Sequence, residues 1–166
     1  MYGILALAAL AGGGQSVEPD LRLGLHMEQA TYEAEGPVDV RMTLENVSAL
    51  EIVVNRRLLV NLAIGPHEIF FVITDPDGER LPFQAHIRDS FESREFMLLY
   101  PREYFGRTYN LARSHFFEKN GEYTAVAYYE NAQDTPEETG LAAAWKGRLK
   151  SNTVKFTIRG AGASSR

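Results

Sequence analysis

The residue types that do chemistry are thinly spread in this chain. His67 opens the stretch His67-Glu-Ile-Phe-Phe71, which begins like the helical H-E-x-x-H zinc motif, but Phe71 stands where the second imidazole must lie one turn on. The chain has four histidines and no cysteine, so thiolate metal sites, disulfides and thiol chemistry are excluded together. It contains no G-x-S-x-G elbow, no phosphate-binding P-loop and no G-x-G-x-x-G turn. The expectation is a protein without catalytic residues, metal or cofactor. Paired carboxylates occur at Asp75 and Asp77 in "DPDG" and at Glu137 and Glu138 in "PEE". They have the chemistry to hold calcium, although an Asx-rich stretch ordinarily forms a turn for its own backbone. Asn46-Val-Ser48 is a glycosylation triplet, meaningful only in a eukaryotic secretory pathway. Arg56-Arg57 and the charges of "RDSFESRE" read as solvated loop residues.

The elements that would position these groups are strands. Leu21, Leu23, Leu25 and Met27 alternate with Arg22, Gly24, His26 and Glu28, and Val38, Val40, Met42 and Leu44 repeat the device across the turn around "AEGP". The stretch 50–64 reads as one strand and a bend, and 67–83 as a hairpin turning at Asp75-Pro-Asp-Gly78 with an exposed tip. Further strands are expected at 95–99, 104–111, 122–130 and 152–159. No stretch between them offers the helix that a parallel crossover needs, so the pairing must be mainly antiparallel, in two packed sheets. Val40, Met42, Leu44, Phe71, Ala125, Phe156 and Ile158 are the predicted core. Of Tyr100, Tyr104, Phe105, Tyr109, Phe116 and Phe117, most should pack and one or two should be exposed.

The stretch "KNGEYTAVA" resembles the sixth strand of the immunoglobulin-like superfamily, with Gly121 at the entry and Tyr123 in the tyrosine-corner position. The resemblance implies an all-β, Ig-like antiparallel sandwich of about seven to nine strands, in which the Tyr123 hydroxyl bonds a backbone group upstream. Ala125 stands where antibody domains carry a cysteine, and the only tryptophan, Trp145, is not on the third strand. The phrases "YEAEGPVDVRMTLENVS" and "WKGRLKSNTVKFTI" are similar to exported Ig-like domains of bacterial surface proteins, and more loosely to the intracellular proteinase inhibitor family.

With 166 residues, one domain is expected over 17–160, between a signal-like apolar segment at 1–16 and a flexible tail at 161–166. Ala9-Leu-Ala11 supplies the small-x-small cleavage pattern, which points to export to the periplasm, the cell surface or beyond. A formal charge of −5 argues against nucleic acid and anionic membrane as partners and leaves a protein or a glycan. The long connection from Asn131 to Lys150 is the candidate contact surface, through Glu137, Glu138, Leu141 and Trp145. For Trp145 two readings stay open, an indole lid on the end of the sandwich and an exposed binding anchor. The expected function is therefore a non-catalytic binding or accessory module, with a loop that blocks a protease as the alternative.

Overall fold

The computed structural model describes residues 20–58, 60, 68–84 and 95–161. His67 of the zinc-like stretch, the signal-like segment and most of "RDSFESRE" lie outside them. The described chain is an all-β sandwich of ten strands: β1 (Leu21–Met27), β2 (Thr31–Glu33), β3 (Asp39–Asn46), β4 (Ile52–Asn55), β5 (Ile69–Thr74), β6 (Phe96–Leu99), β7 (Tyr104–Asn110), β8 (Gly121–Asn131), β9 (Gly147–Lys150) and β10 (Val154–Arg159). Among the described residues no helix is long and apolar enough to cross a membrane.

One sheet has the order β1-β3-β7 and the other β2-β10-β8-β5, with β9 continuing the β10 edge along the upper half of β8. A separate ribbon pairs β4 with β6, so the barrel-free sandwich carries a third small sheet that alternation alone did not announce. Among the described strands, all pairs are antiparallel except one. After β1, the chain crosses to the other sheet at Thr31–Glu33 and pairs parallel with Thr157–Arg159.

The period-two reading holds because each inward residue loses water on one face only. Val40, Met42, Leu44, Phe71, Ala125, Phe156 and Ile158 are all buried, together with Leu21, Leu23 and Leu25 of β1. Close backbone packing adds a constraint at Gly106, where a Cβ would stand 2.4 Å from the Met42 carbonyl oxygen across the β3–β7 ladder. The bend expected after β4 occurs at Leu58, a non-glycine residue held at φ 49°.

Two poles result. Asp20, the turn after Asn46, the turn at 100–103 and the β8–β9 loop share one; the Asp75–Gly78 turn, residues 111–120 and Ala161 share the other. At this second pole the Tyr123 hydroxyl donates to the Lys119 carbonyl at 2.9 Å and accepts from the Lys119 N–H at 3.2 Å, the corner the resemblance implied. Tyr123 stacks on Phe156 with ring centroids 5.7 Å apart, and Phe117 packs edge-on against both. Gly121 has φ 134°, and a Cβ there would meet Pro76 at 2.8 Å, so the strand can start here only on glycine.

Three expectations need correction. The connection after β8 is shorter than 131–150, because Leu149 is buried against Tyr129 and draws residues 147–150 into a strand. Asn46, the acceptor position of the glycosylation triplet, is fully buried, its side-chain nitrogen donating to the Leu50 and Leu99 carbonyls, so the fold does not present it at the surface. Tyr100, Tyr104 and Phe116 are all exposed, three rings where one or two were expected, since each falls on a turn or the solvent face of an edge strand.

Candidate functional site

The loop 132–146 is built on its first anchor, Asn131. Its Nδ2 donates to the Gln133 carbonyl at 3.0 Å and to the Trp145 carbonyl at 2.6 Å, while its Oδ1 accepts from the Gln133 N–H at 3.3 Å. One buried side chain thus clamps both feet of the loop. Ala144 forms a parallel bridge to Val53, and the Trp145 N–H donates to the Val53 carbonyl at 2.8 Å, so the returning foot lies along the edge of β4. The Trp145 ring stacks on Tyr129 with centroids 5.9 Å apart, and its far edge sits 2.9 Å from where a Cβ on Gly147 would be.

Above these feet, the Thr135 hydroxyl donates across the loop to the Ala142 carbonyl at 2.8 Å, and Lys146 pairs with Asp134 at 2.5 Å. The tip is a single 3-10 turn at Glu137–Thr139, closed by Gly140 at φ 64°. Glu137 and Glu138 are exposed there, and Leu141 is half-buried on the descending arm. The four residues expected to form one contact surface are therefore divided. Glu137, Glu138 and Leu141 belong to the tip, whereas Trp145 is a half-buried lid at the root, packed against the core.

Beneath the lid lies a polar cluster that sequence reasoning missed. The Tyr129 hydroxyl donates to the Asn55 carbonyl at 3.2 Å, and the Asn55 side chain donates to Glu68 Oε1 at 2.9 Å. Arg57 reaches the same carboxylate oxygen with Nε at 3.0 Å and forms an ion pair with it through its terminal nitrogen. Arg57 is thus no solvated loop charge: its side chain is 11% exposed and that of Glu68 is 3% exposed. The reason is electrostatic, since a buried carboxylate requires a cation and further donors. Arg56 does stay at the surface, paired with Glu95. The Tyr109 hydroxyl donates to the Leu58 carbonyl, and burial pushes the Tyr109 and Tyr129 phenols well above the usual range. No local pattern announces Glu68, whose partners stand eleven and thirteen positions earlier.

At the other pole the carboxylates of Asp75 and Asp77 converge on the Lys119 ammonium, and Asp75 Oδ1 also caps the N–H groups of Asp77 and Glu79 at 3.0 and 2.9 Å. The hydrogen bond from Lys119 holds the Asp75 carboxyl below its ordinary value. Lys119 occupies the position a cation would take. Ser114 Oγ and His115 Nδ1 stand 3.0 Å apart, the pairing of a nucleophile and its base, but both residues are buried and Phe83 packs on the imidazole. Burial pushes His115 down to about 4, so it is neutral near pH 7. Among the described residues no three histidine or carboxylate side chains gather as a metal site.

No protein-family model matches this chain, and no curated protein does either.

Proposed function

We propose that the protein is a non-catalytic, Ig-like binding or accessory module of an exported protein, and that it presents the tip of loop 132–146 to a protein or glycan partner. The observation that carries this reading is the division of the loop. Its root is fixed by Asn131, Val53 and Tyr129, while Glu137 and Glu138 stand in solvent on a braced tip. A loop ordered before it binds loses less conformational freedom on association. The tyrosine corner at Tyr123 and the parallel pairing of β2 with the last strand support the Ig-like assignment. The apolar stretch ending in Ala9-Leu-Ala11 supports export.

A photo-crosslinking residue placed at Glu138 tests the reading in the native envelope. A discrete adduct is expected at this position and not at Thr157, which lies on β10 toward the opposite pole. Equal labelling at both positions, or none at either, overturns it. The internal bracing of the loop by Thr135 and Ala142 also suits the second reading, a loop held rigid in a protease cleft. Inhibition of an envelope protease, abolished by Glu137→Ala with Glu138→Ala, would favour that reading over the first.

A further inference from the structure

The two sheets do not meet along the edge where β1 faces β9. Low on this edge, the Asn152 carboxamide bridges them: its Oδ1 accepts from the Leu25 N–H at 2.8 Å and its Nδ2 donates to the Leu25 carbonyl at 2.9 Å. Antiparallel pairing alternates, so if Leu25 turns both backbone groups away from β3, Leu23 and Leu21 do the same. No described residue bonds those outward groups. On the facing wall, Leu149 pairs with Tyr129 and the Ser151 N–H donates to the Ala127 carbonyl at 2.9 Å, which leaves the main chain of Arg148 and Lys150 turned toward β1. Between the walls lies a groove of about 470 Å³, lined by Leu21, Arg22, Leu23, Val47, Leu149 and the two basic residues of β9.

We infer that this groove is a strand-addition site: an extended peptide segment with acidic side chains pairs with the β1 edge at Leu21–Leu23. Only polypeptide backbone presents donors and acceptors at the spacing of about 3.3 Å per residue that the edge demands. Asn152 performs this role lower down with one side chain, and its two bonds at Leu25 show that the edge accepts a partner from that side. The charge of the partner follows from the lining, which holds Arg22, Arg148 and Lys150 and no carboxylate, in a chain of net charge −5. Arg22 is paired with Glu45 and the Arg148 guanidinium lies over the Phe70 and Tyr128 rings at 4.8 and 4.7 Å, which leaves Lys150 as the cation of this lining with no carboxylate or ring partner among the described residues. A bound strand alternates its faces, so apolar residues would meet Leu21, Leu23 and Leu149 while acidic ones reach Lys150. The site is separate from the tip of loop 132–146, and the inference stands whether or not that tip binds.

The test uses the full chain and a short acetylated peptide of alternating Glu and Val, with amide hydrogen exchange read by NMR. At a peptide concentration of ten times Kd, exchange at Leu21 and Leu23 should slow by about tenfold. The same peptide with alternate amides N-methylated should not bind, and a Lys-for-Glu peptide should bind more weakly. Lys150→Glu, on the surface, should weaken the acidic peptide by about threefold or more. Binding that survives N-methylation, protection that maps to loop 132–146, or no saturable binding overturns the inference. So does protection of Leu21 and Leu23 in the free protein: if it rises with protein concentration a second copy fills the edge, and if it is constant the chain fills its own groove.

Discussion

Asn152 holds Leu25 by both of its free backbone groups, across 127 positions of sequence, and in doing so fastens the edge of one sheet to the bulge that interrupts the last strand of the other. The neighbouring Ser151 completes the bulge, its hydroxyl accepting from the Ala127 N–H at 2.9 Å. A side chain therefore stands in for a rung of ladder at the point where β9 gives way to β10.

Asn152→Ala removes two hydrogen bonds and leaves the Leu25 groups to water, and should lower stability by about 1 to 3 kcal/mol. The check is the urea midpoint at unchanged slope. A midpoint within error of the parent would show that the clasp contributes nothing.

Tyr123→Phe keeps the stacked rings and deletes only the corner hydroxyl. Both bonds to Lys119 disappear, and a loss of about 1 to 3 kcal/mol is expected, visible in the same denaturation experiment.

Trp145 and the tip should separate cleanly. Trp145→Ala strips the half-buried lid from Tyr129 and should cost about 2 kcal/mol, below the 3 to 5 kcal/mol of a fully buried large side chain. The double change of Glu137 and Glu138 to alanine touches neither root nor core and should leave the thermal midpoint within about 1 kcal/mol equivalent of the parent. Equal destabilisation by both would mean that root and tip are one unit.

His115 sets an acid limit. Its folded value lies near 4, below the ordinary 6.5, so the fold favours the neutral ring. The stabilisation is complete above about pH 6.5 and is lost as pH falls toward 4, by at most about 3 kcal/mol. His115→Gln should flatten the stability profile between pH 7 and 4, measured by denaturation at each pH. An unchanged slope in that window would assign the acid sensitivity to other groups.

What could be read from the sequence was whatever depends on neighbours two apart. Alternation placed Val40, Met42 and Leu44 on the inner face, and the glycine-tyrosine spacing located the corner at Tyr123, because both follow from the pleat and from a local turn. The crossing of Thr31–Glu33 to the opposite sheet was not legible, since three residues carry too little pattern to show which strand they join. Nor was β9, whose Gly-Arg-Leu-Lys composition looks like loop until Leu149 finds Tyr129. Arg57 looked solvated because charge suggests exposure, and only the three-dimensional path brings Asn55 and Arg57 over the Glu68 carboxylate.

The parallel pairing of β2 with β10 also has a mechanical meaning. Tension entering at Asp20, beside Val47, and leaving at Ala161, beside Asn120, would pull β2 and β10 lengthwise in opposite directions. The bonds that join Thr31–Glu33 to Thr157–Arg159, with the Ala34 N–H on the Arg159 carbonyl and the Thr157 N–H on the Ala30 carbonyl, then lie across the load and share it, instead of opening one after another like a zip. Along that path the short parallel patch is loaded in shear as one unit, whereas an antiparallel hairpin pulled from its open end is loaded one rung at a time.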